Sequence, residues 1–147
     1  MTVEVAGVWE TGWDAPRQEV DRWKFMLKEF GVDKLHMSPV SGIFADTTQT
    51  LLIEHRNLET LIPDARAAGK VIVFVDEAAT VELPAFKHPV DVLYVTGKTS
   101  FSPYVSFFDA EAGDLSVKIP TVRNAGGFWS NQAMALVLYD RMLKEAV

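Results

Sequence analysis

A chain of 147 residues is long enough to bury one core without cross-links, and the absence of cysteine excludes disulfides, thiolate zinc sites and a cysteine nucleophile together. Hydrophobic residues make up 48% and charged residues 23%, the balance of a globular domain and not of a disordered segment. The formal net charge of −6 argues against a broad nucleic-acid surface, which needs an excess of Lys and Arg, but leaves room for a local basic patch or one assembled across a dimer.

The N-terminal MTVEVAGVWE has no basic stretch followed by a long apolar one, and no run reaches the roughly 20 apolar residues of a membrane span. The expectation is a cytoplasmic domain without signal peptide or membrane anchor. VEVAGVW, from Val3 to Trp9, predicts a strand, and TGWDAPR predicts a turn. Glu19 to Phe30 predicts a helix, with Val20, Trp23, Leu27 and Phe30 at helical spacing and Gly31 as its stop. Charges of both signs are interleaved from Asp14 to His36, the pattern of a solvated helix face.

KLHM, from Lys34 to Met37, predicts a short strand, SPVSGIFADTTQ a loop, and TLLIEH another strand. A helix from about Leu58 to Ala68 follows, ended by Gly69. VIVFVD (Val71 to Asp76) and DVLYVT (Asp91 to Thr96) are continuously apolar and rich in β-branched and aromatic residues, as a strand is when helices cover both of its faces. LSVKIP (Leu115 to Pro120) predicts a last strand, and Ser130 to Glu145 the last helix. Strands and helices that alternate with short connections predict an α/β domain on a mostly parallel sheet.

Such sheets bind ligands at the carboxyl ends of their strands. Three loops fit that position: Asp76-Glu77, Gly97-Lys98-Thr99, and Thr121 to Trp129, which contains Gly126 and Gly127. In the last helix AMALVLY, from Ala133 to Tyr139, is apolar on every side, which predicts burial against the domain on one side and against a second copy, or more of the same core, on the other. Ser130 suits the start of this helix as a cap, and that start suits an anion such as a carboxylate. His36, His55 and His88 are far apart in sequence without metal-ligand spacing, and no metal is expected. The tryptophans predict core or interface, with Trp13 and Trp129 also suited to stacking on a base.

Three segments in this order, HPVDVLYVTG (His88 to Gly97), VKIPT (Val117 to Thr121) and SNQAMALVLYDRM (Ser130 to Met142), resemble the carboxyl-terminal half of the SPOUT methyltransferases, in their SpoU-like branch. The upstream order, with EFGVDKLHMSP and NLETLIPDARAAGKVIVFVD, is similar too, so the resemblance spans most of a single domain, 1–147. It implies an α/β fold with a carboxyl-terminal trefoil knot, a homodimer joined through the last helix, and S-adenosylmethionine held largely by backbone groups. By that resemblance the cofactor would meet Val95, Thr96 and Gly97, then Ile119, Pro120 and Val122, then Ser130 and Asn131. The implied activity is methylation of the ribose 2′-oxygen of transfer or ribosomal RNA.

The family places an arginine of an Asn-x-Gly-x-x-x-Arg motif near the reacting hydroxyl. Here the corresponding position is Phe25 and the region reads RQEVDRWKF, so Arg22, one turn earlier, and Arg17, in the preceding loop, are the candidates for that role. Asn131 is the candidate at the cofactor. The family's second motif carries a glutamate after its glycine, whereas this chain reads GKTSFSP. Two alternatives stand beside RNA methyl transfer: a cofactor-binding, dimerising protein that has lost catalysis, and methyl transfer to an acceptor other than RNA.

Overall fold

In the computed structural model the apolar runs read from the sequence are the middle of a six-stranded parallel sheet. Residues 2–8, 16–32, 34–38, 52–55, 60–96, 111–123, 128 and 130–145 are described. Their order is β1 (Val3–Val8), α1 (Pro16–Glu29), β2 (Leu35–Ser38), β3 (Leu52–Glu54), α2 (Leu61–Ala67), β4 (Val71–Val75), a 3-10 turn (Leu83–Ala85), β5 (Val92–Thr96), β6 (Leu115–Val117) and α3 (Ser130–Glu145). Across the sheet the strands run β3-β2-β1-β5-β4-β6, and every pair is parallel.

The strand order explains the apolar pattern. β5 lies between β1 and β4, and all five of its residues are buried. On one face Val5, Leu35, Val73, Val92, Tyr94 and Val117 pack against Trp23 and Leu27 of α1 and against Met134, Val137 and Leu138 of α3. On the other, Ala6, Ile72, Phe74, Leu93 and Val95 pack against Ile62 and Ala65 of α2. A strand with both faces covered has no polar side to alternate with.

Helix ends follow the glycines that predicted them. Gly31 has φ +69° and Gly69 φ +87°, conformations that side chains with a Cβ resist. In each case the glycine N–H returns to the carbonyl three residues back and the next N–H to the one five back: Gly31 to Lys28 and Val32 to Leu27, Gly69 to Arg66 and Lys70 to Ala65. This double closure satisfies carbonyls that the helix end would leave orphaned. At its other end α1 begins at Pro16, three residues before the expected start. The segment read as a turn, TGWDAPR, contains Pro16, and proline also suits the first helical position because its missing N–H would be unpaired there anyway. Arg17 therefore sits inside α1 and not in the loop before it.

The chain runs outward from β1 to β2 and β3, then crosses to the other half through α2. β1 and β5 are thus neighbours at the point where the order of strands reverses, the place where sheets of this kind open a crevice at their carboxyl edge.

Candidate cofactor site at the carboxyl edge

Parallel register lines up the strand ends. Gly7 of β1 pairs with Thr96 of β5, Thr96 with Val75 of β4, and Val75 with Val117 of β6. The four residues make one row, so the segments leaving β5, β4 and β6 start at the same level. α3 points its first residue toward this edge, because its last turns are fixed at the opposite one. There Arg141 donates to the carbonyls of Pro89 and Val90, just ahead of β5, and Arg141, Met142 and Glu145 line a cavity with Thr2 and Val3 at the start of β1. Val95 and Thr96, then Ile119, Pro120 and Val122, then Ser130 and Asn131, come from these converging elements; Gly97, Gly126, Gly127 and Trp129 lie outside the described residues.

Backbone, more than side chain, is what the row offers. Val95 is fully buried on the α2 face, and the Thr96 hydroxyl turns back to the Ala6 carbonyl at 3.4 Å. Ile119 packs against the core, whereas Val122 stands fully in solvent at 106% relative exposure, with Thr121 and Arg123 exposed beside it. Asp76 is occupied by its own turn: its carboxylate accepts from the Ala78 N–H at 3.0 Å, and its N–H donates to the Val117 carbonyl at 3.0 Å. Burial and the neighbouring Asp76 push the Glu77 carboxyl above its ordinary value.

Close packing holds β1 against β5. A Cβ added at Gly7 would lie 3.3 Å from the Thr96 hydroxyl, 3.5 Å from the Met37 sulfur and 3.8 Å from the Trp23 ring. Gly7→Ala is expected to destabilise the fold by about 1 kcal/mol, the scale of mild overpacking, lowering the melting temperature by about 2–4 °C. Adding Thr96→Ala should then restore part of the loss, because the nearest clashing atom is gone. Thermal denaturation of the two single variants and the double one measures this, and additive losses would remove Thr96 as the cause.

A cavity of about 310 Å³ lies at the other edge of the sheet, between Phe30 at the end of α1 and Leu138 and Met142 of α3. Arg141 lines it but is committed elsewhere: besides the two carbonyls it donates to the Tyr94 hydroxyl at 3.0 Å and pairs with Glu145 at 2.8 Å. The strand ends, not this cavity, therefore carry the candidate site.

No protein-family model matches the chain, and no curated protein matches it. Solved structures do. The TrmH/SpoU tRNA modifying enzyme of A. aeolicus matches 98% of this chain with 76% of its own, at a TM-score of 0.73 and 16% identity. The SpoU methyltransferase AviRb of Streptomyces viridochromogenes, in complex with the cofactor AdoMet, matches 99% with 58% of its own, at 0.74 and 15%. A structure solved for the 2-OH methylation of C/U34 on tRNA matches 100% with 93% of its own, at 0.70 and 12%. The chain has the SpoU methyltransferase fold.

Within the SpoU fold the expected catalytic positions separate. Arg22 is exposed on α1, and so is Phe25, at 71%, on the side of the helix away from the buried Trp23 and Leu27. α1 starts at the carboxyl edge, since the chain leaves the carboxyl end of β1 and returns to the amino end of β2. At 1.5 Å per residue, Arg17 in its first turn lies about 7.5 Å nearer that edge than Arg22. The side chain of Arg17 lies outside the described residues, as do 97–110 and 124–127, and with them the expected trefoil knot.

Sequence spacing gave no sign of two polar clusters. His36 and His55, 19 residues apart, meet with Nδ1 of the first 2.9 Å from Nε2 of the second. His88, also read as isolated, is a hub: its Nδ1 accepts from the Tyr94 hydroxyl at 2.7 Å and its Nε2 donates to Asp140 at 2.7 Å. Burial holds His88 below its ordinary value, against the pull of Asp140, and burial pushes the Tyr94 phenol up. The signal for both lies in strand register and helix docking, which no local pattern encodes.

Proposed function

We propose that the protein is an S-adenosylmethionine-dependent RNA methyltransferase acting on the ribose 2′-oxygen of transfer or ribosomal RNA. The observation that carries this reading is the row of strand ends, Gly7, Thr96, Val75 and Val117, with the start of α3 directed to the same edge in a SpoU fold matched over nearly its whole length. Residues at this edge suit the cofactor. Backbone groups at Thr96 and around Ile119 and Pro120 are offered while the Thr96 side chain is turned inward, and the exposed Val122 supplies an apolar contact for a flat ring. Ser130 and Asn131 open a helix of 16 residues whose amino end favours a carboxylate.

When bound, the sulfonium supplies an electrophilic methyl group. The chain's own part is to hold the acceptor hydroxyl in line with it, which accounts for much of the acceleration in such transfers. A cation beside that hydroxyl stabilises the oxygen as its proton leaves, the role proposed for Arg17 or Arg22. Asn131 is proposed to orient the cofactor.

Self-association completes the reading. Leu136, Tyr139, Met142 and Leu143 of α3 are all exposed, an apolar surface of the kind that marks a protein interface, and we propose that a second copy covers it. Among the described residues no helix is long and apolar enough to cross a membrane, and no group of three or more His, Cys, Asp or Glu is arranged to hold a metal ion. A cytoplasmic location fits this proposal.

One observation favours a second reading. Phe25, apolar and exposed, stands where the sequence resemblance would put the family's arginine, which suits a protein that binds the cofactor without transferring the methyl. Calorimetric titration with S-adenosylmethionine and with its demethylated product is expected to give saturable binding of both. No heat from either removes both readings. Incubation with labelled cofactor and total RNA then separates them, label in ribose supporting the first and unlabelled RNA the second.

A further inference from the structure

Four polar side chains form an unbroken chain of hydrogen bonds across the α2 face of the sheet. Lys70, just before β4, donates to Glu4 of β1 at 2.9 Å; Glu4 accepts from His36 Nε2 of β2 at 2.7 Å; and His36 Nδ1 meets His55 Nε2, just past β3, at 2.9 Å. His36 is 5% exposed, and its ring lies 5.1 Å from that of His55, tilted by 39°. Among the described residues Lys70, Glu4, His36 and His55 are the charged or titratable groups joined here, one from each of four strands or their flanks.

Proton counting limits what this chain can hold. A carboxylate only accepts, so His36 Nε2 carries a hydrogen toward Glu4. The 2.9 Å contact between the rings has room for one hydrogen, supplied by either nitrogen. One imidazolium is compatible with that arrangement, on either ring. A second proton sets N–H against N–H and breaks the contact. β3 is where the break is felt, because it is a strand of three residues that among the described residues pairs with β2 alone, with the His55 N–H continuing the ladder to the Met37 carbonyl at 2.8 Å.

We infer that the His36–His55 contact is a proton-operated latch that fixes β3 to β2 at neutral pH and releases it in acid. Charges around it act in the same direction. Burial, and then the charge of His36, hold His55 below its ordinary value of 6.5. Burial pushes the Glu4 carboxyl up, but its bonds to Lys70 and His36 outweigh this and keep it below its usual range. Both groups thus bind protons more readily when unlatched than when latched. Latching is complete above pH 6.5, weakens as acid protonates the released His55, and loses the Glu4 contribution only at lower pH, below 4.5.

Hydrogen exchange followed by mass spectrometry tests the latch on the intact chain. Between about pH 7 and about pH 5, corrected for intrinsic rates, protection of residues 52–55 should fall relative to 71–75 by up to about tenfold per pH unit, the limit for one proton. In His55→Gln, whose amide still reaches His36 but takes no proton, that fall should vanish. Equal protection of the two segments across the range, or the same fall in His55→Gln, overturns the latch. Should the variant fail to fold, nitrogen-15 titration of the wild-type rings decides. Loss of protection at the His55 amide with the second proton supports the latch; two imidazolium rings with that amide still protected overturn it.

Discussion

Replacing Arg141 by Met is expected to destabilise the fold by about 3 kcal/mol, within the range for breaking a buried charge network. Arg141 is 4% exposed, and four of its N–H groups are used, on the carbonyls of Pro89 and Val90, the Tyr94 hydroxyl and Glu145. Met fills much of the volume but leaves two carbonyls short of a donor and a buried hydroxyl short of one partner, each costing about 1–3 kcal/mol unless water reaches it. For a chain of this size the melting temperature should drop by about 6–12 °C. Lys144→Met is the comparison. Its three donors serve Asp140 and the carbonyls of Leu83 and Phe86, but its side chain is one-third exposed, so water can replace it and the loss should be nearer 1 kcal/mol. Denaturant melts of both variants measure the difference. An Arg141→Met protein within 1 kcal/mol of the parent would show that α3 is held by its apolar contacts alone.

The same residues show where sequence patterns stop. β4 and β5 were legible because burial on both faces leaves continuous apolar runs, and α3 because it is apolar through several turns. The ends of α1 and α2 were legible because Gly31 and Gly69 do a local job within five residues. What lay beyond reach is non-local. Arg141 reads as one more cation in the last turns of a helix, where Lys and Arg are common, and only docking against a segment 51 residues earlier makes it the anchor. His36 and His55 read as isolated because 19 residues separate them, yet register sets Leu35 opposite Leu52 and thereby carries His55 to the side of His36. At the candidate site the apolar strand ends could be placed from the sequence, and the convergence of three segments on one level required the register. Which of the two proposed arginines lies nearer the strand ends was not legible, since that depends on where α1 starts and Pro16 can be read as a turn or as a first helical residue.

The arginines carry the largest expected effect on activity. In the proposed reaction a cation beside the acceptor oxygen stabilises charge that develops as the hydroxyl proton leaves, and removing such a group costs about 10²–10³ in rate. Both candidates lie on α1, but the helix sets them at different heights above the sheet. Arg17 is in the first turn, the end of α1 nearer the carboxyl edge, and Arg22 is about 7.5 Å further along the axis. Arg17→Ala is therefore expected to give the larger fall in single-turnover methyl transfer, and Arg22→Ala a smaller one through weaker RNA binding. S-adenosylmethionine affinity measured by calorimetry should be unchanged in both, because the proposed cofactor contacts come from β5, the segment after β6 and α3. A loss of cofactor affinity alongside the rate would move either arginine from the acceptor to the cofactor. Wild-type rates in both variants would leave α1 without a catalytic part and favour the reading in which the protein binds the cofactor without transferring its methyl group.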